Sequence, residues 1–250
     1  MRLDKFICKS SEYSLPEALA LIEQRRLVVN DQVVTEASHQ VHQNNVVTLD
    51  AQRLIPRPFR YFLLHKPIDM ICSNIDEQYP SVFNLLTVNR PSELHIAGRL
   101  DADTTGLVLI TDDGHWSYRL TSPKHQCEKV YKVELTRPLS ADAAQRFQSG
   151  ILLQGEAALT RPARLQVIDP YYVYLTLTEG RFHQVKRMFA AIGNRVKALH
   201  RQQIGSLSLD VKLGDWRSLT TAEVKSLAGD NESQSIAITD AANPTNTPYS

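Results

Sequence analysis

Two segments concentrate side chains able to do chemistry. In AGRLDADTTGLVLITDDG, residues 97–114, Asp101 and Asp103 stand just before an apolar run, and Arg99 lies two residues upstream of Asp101. A carboxylate at the mouth of a buried strand must be paired, hydrogen-bonded or reactive, because burying it alone costs several kcal/mol. On position alone, both aspartates read as loop residues that bond backbone amides, and Asp112-Asp113-Gly114 reads as turn chemistry. The second segment, EGRFHQVKRMFAAIGNRVKALHR at residues 179–201, carries Arg181, Lys186, Arg187, Arg195, Lys197 and Arg201 with no acid between residues 181 and 201. A block of +6 in a chain of net charge +1 is a concentrated positive surface. It suits a polyanion whose phosphates are contacted by Arg and Lys, whereas a merely solvated helix face usually mixes both signs. A third segment, TSPKHQCEKVYKVEL, places Tyr131 mid-strand, where a core aromatic is the default reading.

Other chemistries lack their residues. The chain has no GxxxxGK[ST] loop, no GxGxxG after a strand, no GxSxG elbow and no HExxH. His39 and His42 form an HxxH in a hairpin region, which reads as a solvated pair, so no metal is expected. Three cysteines, Cys8, Cys72 and Cys127, are odd in number and widely spaced, which argues against a disulfide framework and against structural zinc. No run approaches the ~18 apolar residues of a membrane span, and MRLDKF is too charged for a signal peptide. The expectation is a cytoplasmic protein without membrane attachment.

The elements that must position these residues fall into two parts. Residues 1–50 read as a small α/β module. Leu3, Phe6 and Ile7 have helical spacing, and Ser14 with Glu17 predicts a capping box for a helix burying Ala18, Leu19 and Ile22. RRLVVNDQVV then predicts a hairpin around Asn30-Asp31. Residues 51–59, with Pro56 and Pro58, read as a stiff linker. Residues 60–230 predict an α+β domain on a mixed, largely antiparallel sheet. GLVLIT reads as a buried central strand, and KVYKVEL and YVYLTLT alternate as half-buried ones. Val185, Met188, Phe189 and Ile192 fall at helical spacing before Gly193, a C-cap, and Thr220 with Glu223 predicts another capping box. Residues 231–250 lack periodicity and read as a disordered tail.

Taken together and in this order, GRLDADTTGL, EKVYKV and EGRFHQVKRM resemble the motifs of the pseudouridine synthases, in the branch acting on small-subunit ribosomal RNA. LHKPIDMICS resembles that family's LNKPxG opening, with Lys66 and Pro67 retained. The first fifty residues resemble an S4 RNA-binding domain. The likeness runs from Met1 to about Gly229. Two departures stand out: His65 and Asp69 replace Asn and Gly in the opening motif. Asp adopts φ > 0 less freely than Gly, so a different turn is expected at Asp69. The S4-like module also holds five Lys/Arg against seven Asp/Glu, so RNA contacts there would rest on Arg2, Lys5, Arg25 and Arg26.

The resemblance reverses the positional reading of Asp101. It implies a catalytic set of Asp101, Tyr131 and Lys186, with Lys186 pairing the aspartate and lowering its pKa. It implies no cofactor and a 16S ribosomal RNA substrate, free or in a partly assembled subunit. The target uridine must be flipped out, with Arg99 ordering the loop or displacing the base and Arg181, Arg187, Arg195, Lys197 and Arg201 holding phosphates. Asp101 acts as nucleophile at the sugar or as base at C2′; the residues do not choose. No feature requires an oligomer, so a monomer is expected. Competing readings are a large-subunit synthase, a nucleoside hydrolase using Asp103 as second carboxylate, and a non-catalytic ribosome-assembly factor.

Overall fold

A computed structural model describes residues 1–228. The segment read as a disordered tail lies outside the described residues. Contacts divide the chain into two compact units, Met1–Pro58 and the chain from Phe59 onward.

In the first unit, α1 (Leu3–Ser10) and α2 (Leu15–Glu23) precede a four-stranded sheet of β1 (Leu27–Val29), β2 (Gln32–Val33), β3 (Val47–Leu49) and β4 (Gln52–Arg53), ordered β2-β1-β3-β4. Glu17 Oε2 accepts from the Ser14 amide at 2.8 Å, the predicted cap. The buried stripe of α2 is Ala18, Leu21 and Ile22 rather than Ala18, Leu19 and Ile22, the i, i+3, i+4 set that one face of a helix dictates. Asn30 and Asp31 both take positive φ, 46° and 65°, as a two-residue hairpin turn requires. Asp50 and Ala51 repeat that geometry and return the chain as β4, so the expected linker begins as a strand. Arg57 then ties it back to α1 through the carbonyls of Cys8 and Ser11, at 2.9 and 2.8 Å.

The second unit is an α+β domain. Its elements are β5 (Tyr61–Lys66), β6 (His95–Ala97), β7 (Thr104–Thr111), α3 (Gly114–Thr121), β8 (Lys129–Leu135), α4 (Ala143–Ser149), β9 (Arg164–Val167), β10 (Tyr172–Leu177), α5 (Gln184–Ala191), β11 (Val196–Ile204), β12 (Leu207–Ser208), β13 (Trp216–Ser218) and α6 (Thr221–Ala228). The strands form one nine-stranded sheet ordered β13-β5-β7-β11-β8-β10-β9, with β12 on β11 and β6 on β7. Only β7 and β11 run parallel; every other pair is antiparallel.

Strands β5 and β7 are apolar on both faces because each face carries its own core. Leu64, Val108 and Ile110 pack into the cluster that holds Val133, Leu175 and the buried stripe of α5, Val185, Met188 and Phe189. Leu63, Leu107 and Leu109 pack on the other side with Trp116, Leu120 and Val224 of α3 and α6. Asp113 caps α3, accepting from the amides of His115 and Trp116 at 3.0 and 3.1 Å. At Gly106, φ is +116° and an added Cβ would lie 2.2 Å from the Arg201 carbonyl oxygen, so only glycine lets β7 and β11 approach this closely.

Candidate active site

The loop from Gly98 to Asp103, entering β7, is gripped from several sides. Lys66 is fully buried at the end of β5, and its ammonium donates to the carbonyls of Pro67, Ala102 and Thr104 at 2.9, 3.1 and 2.8 Å. Burial pulls the Lys66 pKa down, opposed by nearby Cys72, Asp103, Asp101 and Asp69. The Asp69 amide donates to the Ala102 carbonyl at 2.9 Å. Asp69 itself takes the left-handed conformation, φ 58°, so the turn expected to differ is made by an aspartate in the glycine-type region. The Leu100 amide meets Cys72 Sγ at 3.3 Å, and Asp101 closes a turn by accepting from the Thr104 amide at 3.1 Å.

Asp101 emerges from this scaffold half-buried and facing the first turn of α5. Lys186 Nζ lies 2.9 Å from Asp101 Oδ2 and 2.6 Å from Asp103 Oδ1. One ammonium thus bridges two carboxylates, and the trio carries a net charge of about −1. Burial alone would lower the Lys186 pKa, but its bonds to Asp103 and Asp101 outweigh this and raise it. Burial would raise the Asp103 pKa, and the Lys186 hydrogen bond and charge overcome it and hold the carboxyl below its ordinary range. The other oxygen of Asp101 faces His183, whose Nε2 is 3.4 Å from Oδ1. His183 was not singled out from the sequence. The signal was available: it sits three residues before Lys186, where one turn of helix brings side chains to the same face.

Tyr131 lies on β8 with Val133 and Leu135 on the same buried face. Its backbone is flanked in the sheet by Leu175 of β10 and Arg201 of β11. The ring belongs to the same apolar cluster as Leu100 and Val185, the neighbours in sequence of Asp101 and Lys186. The core that holds the Tyr131 ring thus also anchors the backbone next to Asp101 and next to Lys186.

The basic block is not the bare positive surface its sequence suggested. Arg201 is 1% exposed, and its guanidinium donates to the carbonyls of Leu107 and Gly98 at 2.8 and 2.6 Å. It pins the start of the Asp101 loop to β7 and is closed off from phosphate, which corrects its assignment as an RNA contact. Arg181 and Arg187 converge on Glu156, at 3.0 and 2.8 Å, and spend further donors on the carbonyls of Ala158, Leu159, Phe182 and Gln154. Arg187 and Arg181 lower the Glu156 pKa. Lys197 pairs with Glu134 at 2.6 Å. Arg181 also meets Glu179 at 3.4 Å, so a run without acids in sequence has acquired five in space: Asp101, Asp103, Glu134, Glu156 and Glu179. Among the described residues, Arg99 and Arg195 are exposed with side chains outside any hydrogen bond or ion pair. In the first unit, Arg2 is paired with Asp4 at 2.6 Å and Arg26 with Asp50, while Lys5 and Arg25 are exposed.

With this geometry in view, comparison with known proteins is decisive. Residues 60–191 match the RNA pseudouridylate synthase family, and residues 1–47 match the S4 domain. The chain belongs to the RNA pseudouridylate synthases. Over 91% of its length it is 48% identical to ribosomal small subunit pseudouridine synthase A of Yersinia pestis, covering 98% of that protein. It is 46% identical to the protein of that name from Escherichia coli (strain K12), covering all of it. A solved pseudouridylate synthase structure superposes with a TM-score of 0.68 at 43% identity, covering 91% of this chain and 99% of that one. The family's enzymatic class, its S4 domain and its α+β fold are thus this chain's own. No helix among the described residues is long and apolar enough to cross a membrane.

Proposed function

We propose that this enzyme isomerises one uridine to pseudouridine in small-subunit ribosomal RNA, in the cytoplasm and as a monomer, with Asp101 acting on the flipped-out nucleotide. The observation that carries the reading is the Asp101 carboxylate held by Lys186 on one oxygen and facing His183 with the other, on a loop fixed by buried Lys66 and Arg201. The names of relatives nearly half identical over almost the whole chain supply the substrate class.

The reaction breaks the C1′–N1 glycosidic bond, turns the uracil and forms C1′–C5; the proton lost from C5 balances the one gained at N1. No electrons leave the system. Lys186 sets a positive charge 2.9 Å from the Asp101 carboxylate, which either route uses, attack at C1′ or proton removal at C2′. Tyr131 contacts the extruded base from the shared core and takes part in proton transfer at C5. Arg99 and Arg195, the uncommitted cations of the two motif segments, meet flanking phosphates.

Incubating bacterial small-subunit rRNA, free and in partly assembled subunits, with wild-type protein or Asp101→Asn tests this. Carbodiimide labelling and reverse transcription should show one new stop with wild type and none with the variant. Absence of a stop with wild type on both substrates would sink the reading, and the same labelling of large-subunit rRNA would show whether the substrate assignment alone had failed.

A further inference from the structure

Phe182 is 74% exposed, the most exposed of the large hydrophobic side chains among the described residues. An isolated surface aromatic needs no explanation, but this one stands beside the reacting carboxylate. Its ring lies flat on that of His183, with centroids 3.8 Å apart and planes inclined by 21°. His183 in turn meets Asp101 Oδ1 at 3.4 Å. Aspartate, imidazole and phenyl ring thus form a column running outward from the site, with Phe182 at its end.

The backbone beneath this column is fixed. His183 holds the left-handed conformation, φ 48° and ψ 33°, at the start of α5. That conformation is uncommon for a residue with a side chain. The Phe182 carbonyl accepts from Arg187 at 3.1 Å, and Arg181 and Arg187 are both clamped on Glu156. A rigid support under an aromatic face open to water is the construction of a stacking platform, and every nucleobase offers a π-face to it.

We propose that Phe182, backed by His183, stacks on a nucleobase of the substrate RNA next to the flipped uridine and so sets the target in register with Asp101. The assignment rests on the proposed reading in taking the ligand to be RNA whose flipped uridine meets Asp101. The column continues the site outward, and the stack already formed by His183 leaves one ring face for one base.

The test uses the full chain in the Asp101→Asn background, so that binding is read without turnover, with a small-subunit rRNA transcript as the probe. Phe182→Ala and Phe182→Leu should each weaken binding about tenfold or more, the size of one lost base–aromatic stack. Phe182→Trp should bind within about twofold of the parent, because the stack survives. Its indole emission, after subtraction of the parent carrying Trp116 and Trp216, should be quenched by the RNA and shielded from iodide. Phe182→Leu is the control for mere apolar contact. Parental affinity for Phe182→Leu, or an indole at position 182 that RNA neither quenches nor shields, would overturn the proposal. In the active background, Phe182→Ala should lower kcat/KM by about tenfold or more, and an unchanged kcat/KM would equally overturn it. Failure of the enzymatic reading appears elsewhere, as wild-type protein that makes no pseudouridine while Phe182→Trp is still quenched.

Discussion

Lys186 and Arg187 are adjacent cations in the first turns of α5, and they do opposite things. Lys186 faces two carboxylates, Asp101 and Asp103, that are respectively 32% and 64% exposed in their side chains. Arg187 faces Glu156 and the carbonyls of Phe182 and Gln154, and Arg181 meets the same Glu156 together with Glu179 and the carbonyls of Ala158 and Leu159. The first cluster has more negative than positive charge and keeps its reactive oxygens open to solvent. The second has two guanidiniums balanced by two carboxylates, Glu156 and Glu179, and spends its spare donors on backbone carbonyls. What distinguishes a site from a brace here is the acceptors: carbonyls lock a cation in place, while an accessible carboxylate can exchange its partner for a substrate.

The largest expected effect breaks the first cluster. Asp101→Asn should abolish isomerisation while leaving RNA affinity intact. Lys186→Met should lower turnover at neutral pH by about a hundredfold, and it also leaves Asp101 and Asp103 facing each other without a cation. Single-turnover assays on the small-subunit rRNA transcript, with affinity measured separately, check this. Turnover equal to wild type would mean that the aspartate does not need its cation.

Next in size is a loss of stability. Arg201→Ala strands the buried carbonyls of Gly98 and Leu107, each costing ~1–3 kcal/mol when left unsatisfied, and destabilisation of about 3 kcal/mol is expected in urea. The salt dependence of RNA binding should not change, because Arg201 meets no phosphate; a shallower slope for Arg201→Ala would restore it as an RNA contact. Glu156→Ala, which loosens the brace, should lower Tm and cost less activity than Lys186→Met. If the two losses of activity were equal, the brace and the site would be one functional unit.

The elements most legible in the sequence are those specified by neighbours in the chain. The Asn30-Asp31 hairpin, the cap at Ser14, the apolar stripe of α5 and the doubly buried β7 all follow from spacing over a few residues. The site was legible as a set of motifs, and the motif carrying Lys186 already contained His183 and Phe182. The fate of the basic block was not legible, since Glu156 and Glu134 are more than twenty residues from the cations they neutralise and arrive only through the fold. Arg201 illustrates the same limit. Nothing in ALHR distinguishes an arginine that faces solvent from one buried against the next strand, and Gly106, the residue opposite it in β7, is far away in the chain. That residues 51–59 open with β4 is hidden for a related reason: Asp50 and Ala51 are not common choices for two consecutive positive-φ positions, so their types do not announce the turn.

The smallest expected effect is the sharpest test of how Lys186 divides itself between two partners. Asp103 is mostly exposed, so its bond to Lys186 should be worth no more than about 1 kcal/mol, and Asp103→Asn should change turnover by no more than about fivefold. The pH dependence of its contribution has a definite sign. The Asp103 pKa is depressed in the folded protein, so its stabilisation is present above the ordinary carboxylate value of about 3.9 and is lost as pH falls through the depressed one. The Lys186 pKa is raised, so its share is complete below about 10.4 and is lost as pH rises through the raised value. Between those limits the pair contributes a constant amount. The Tm difference between wild type and Asp103→Asn should therefore be level from about pH 5 to 9 and shrink toward zero in stronger acid. A difference that persists undiminished in acid would show that Asp103 acts through its shape or its backbone, and that Lys186 belongs to Asp101 alone.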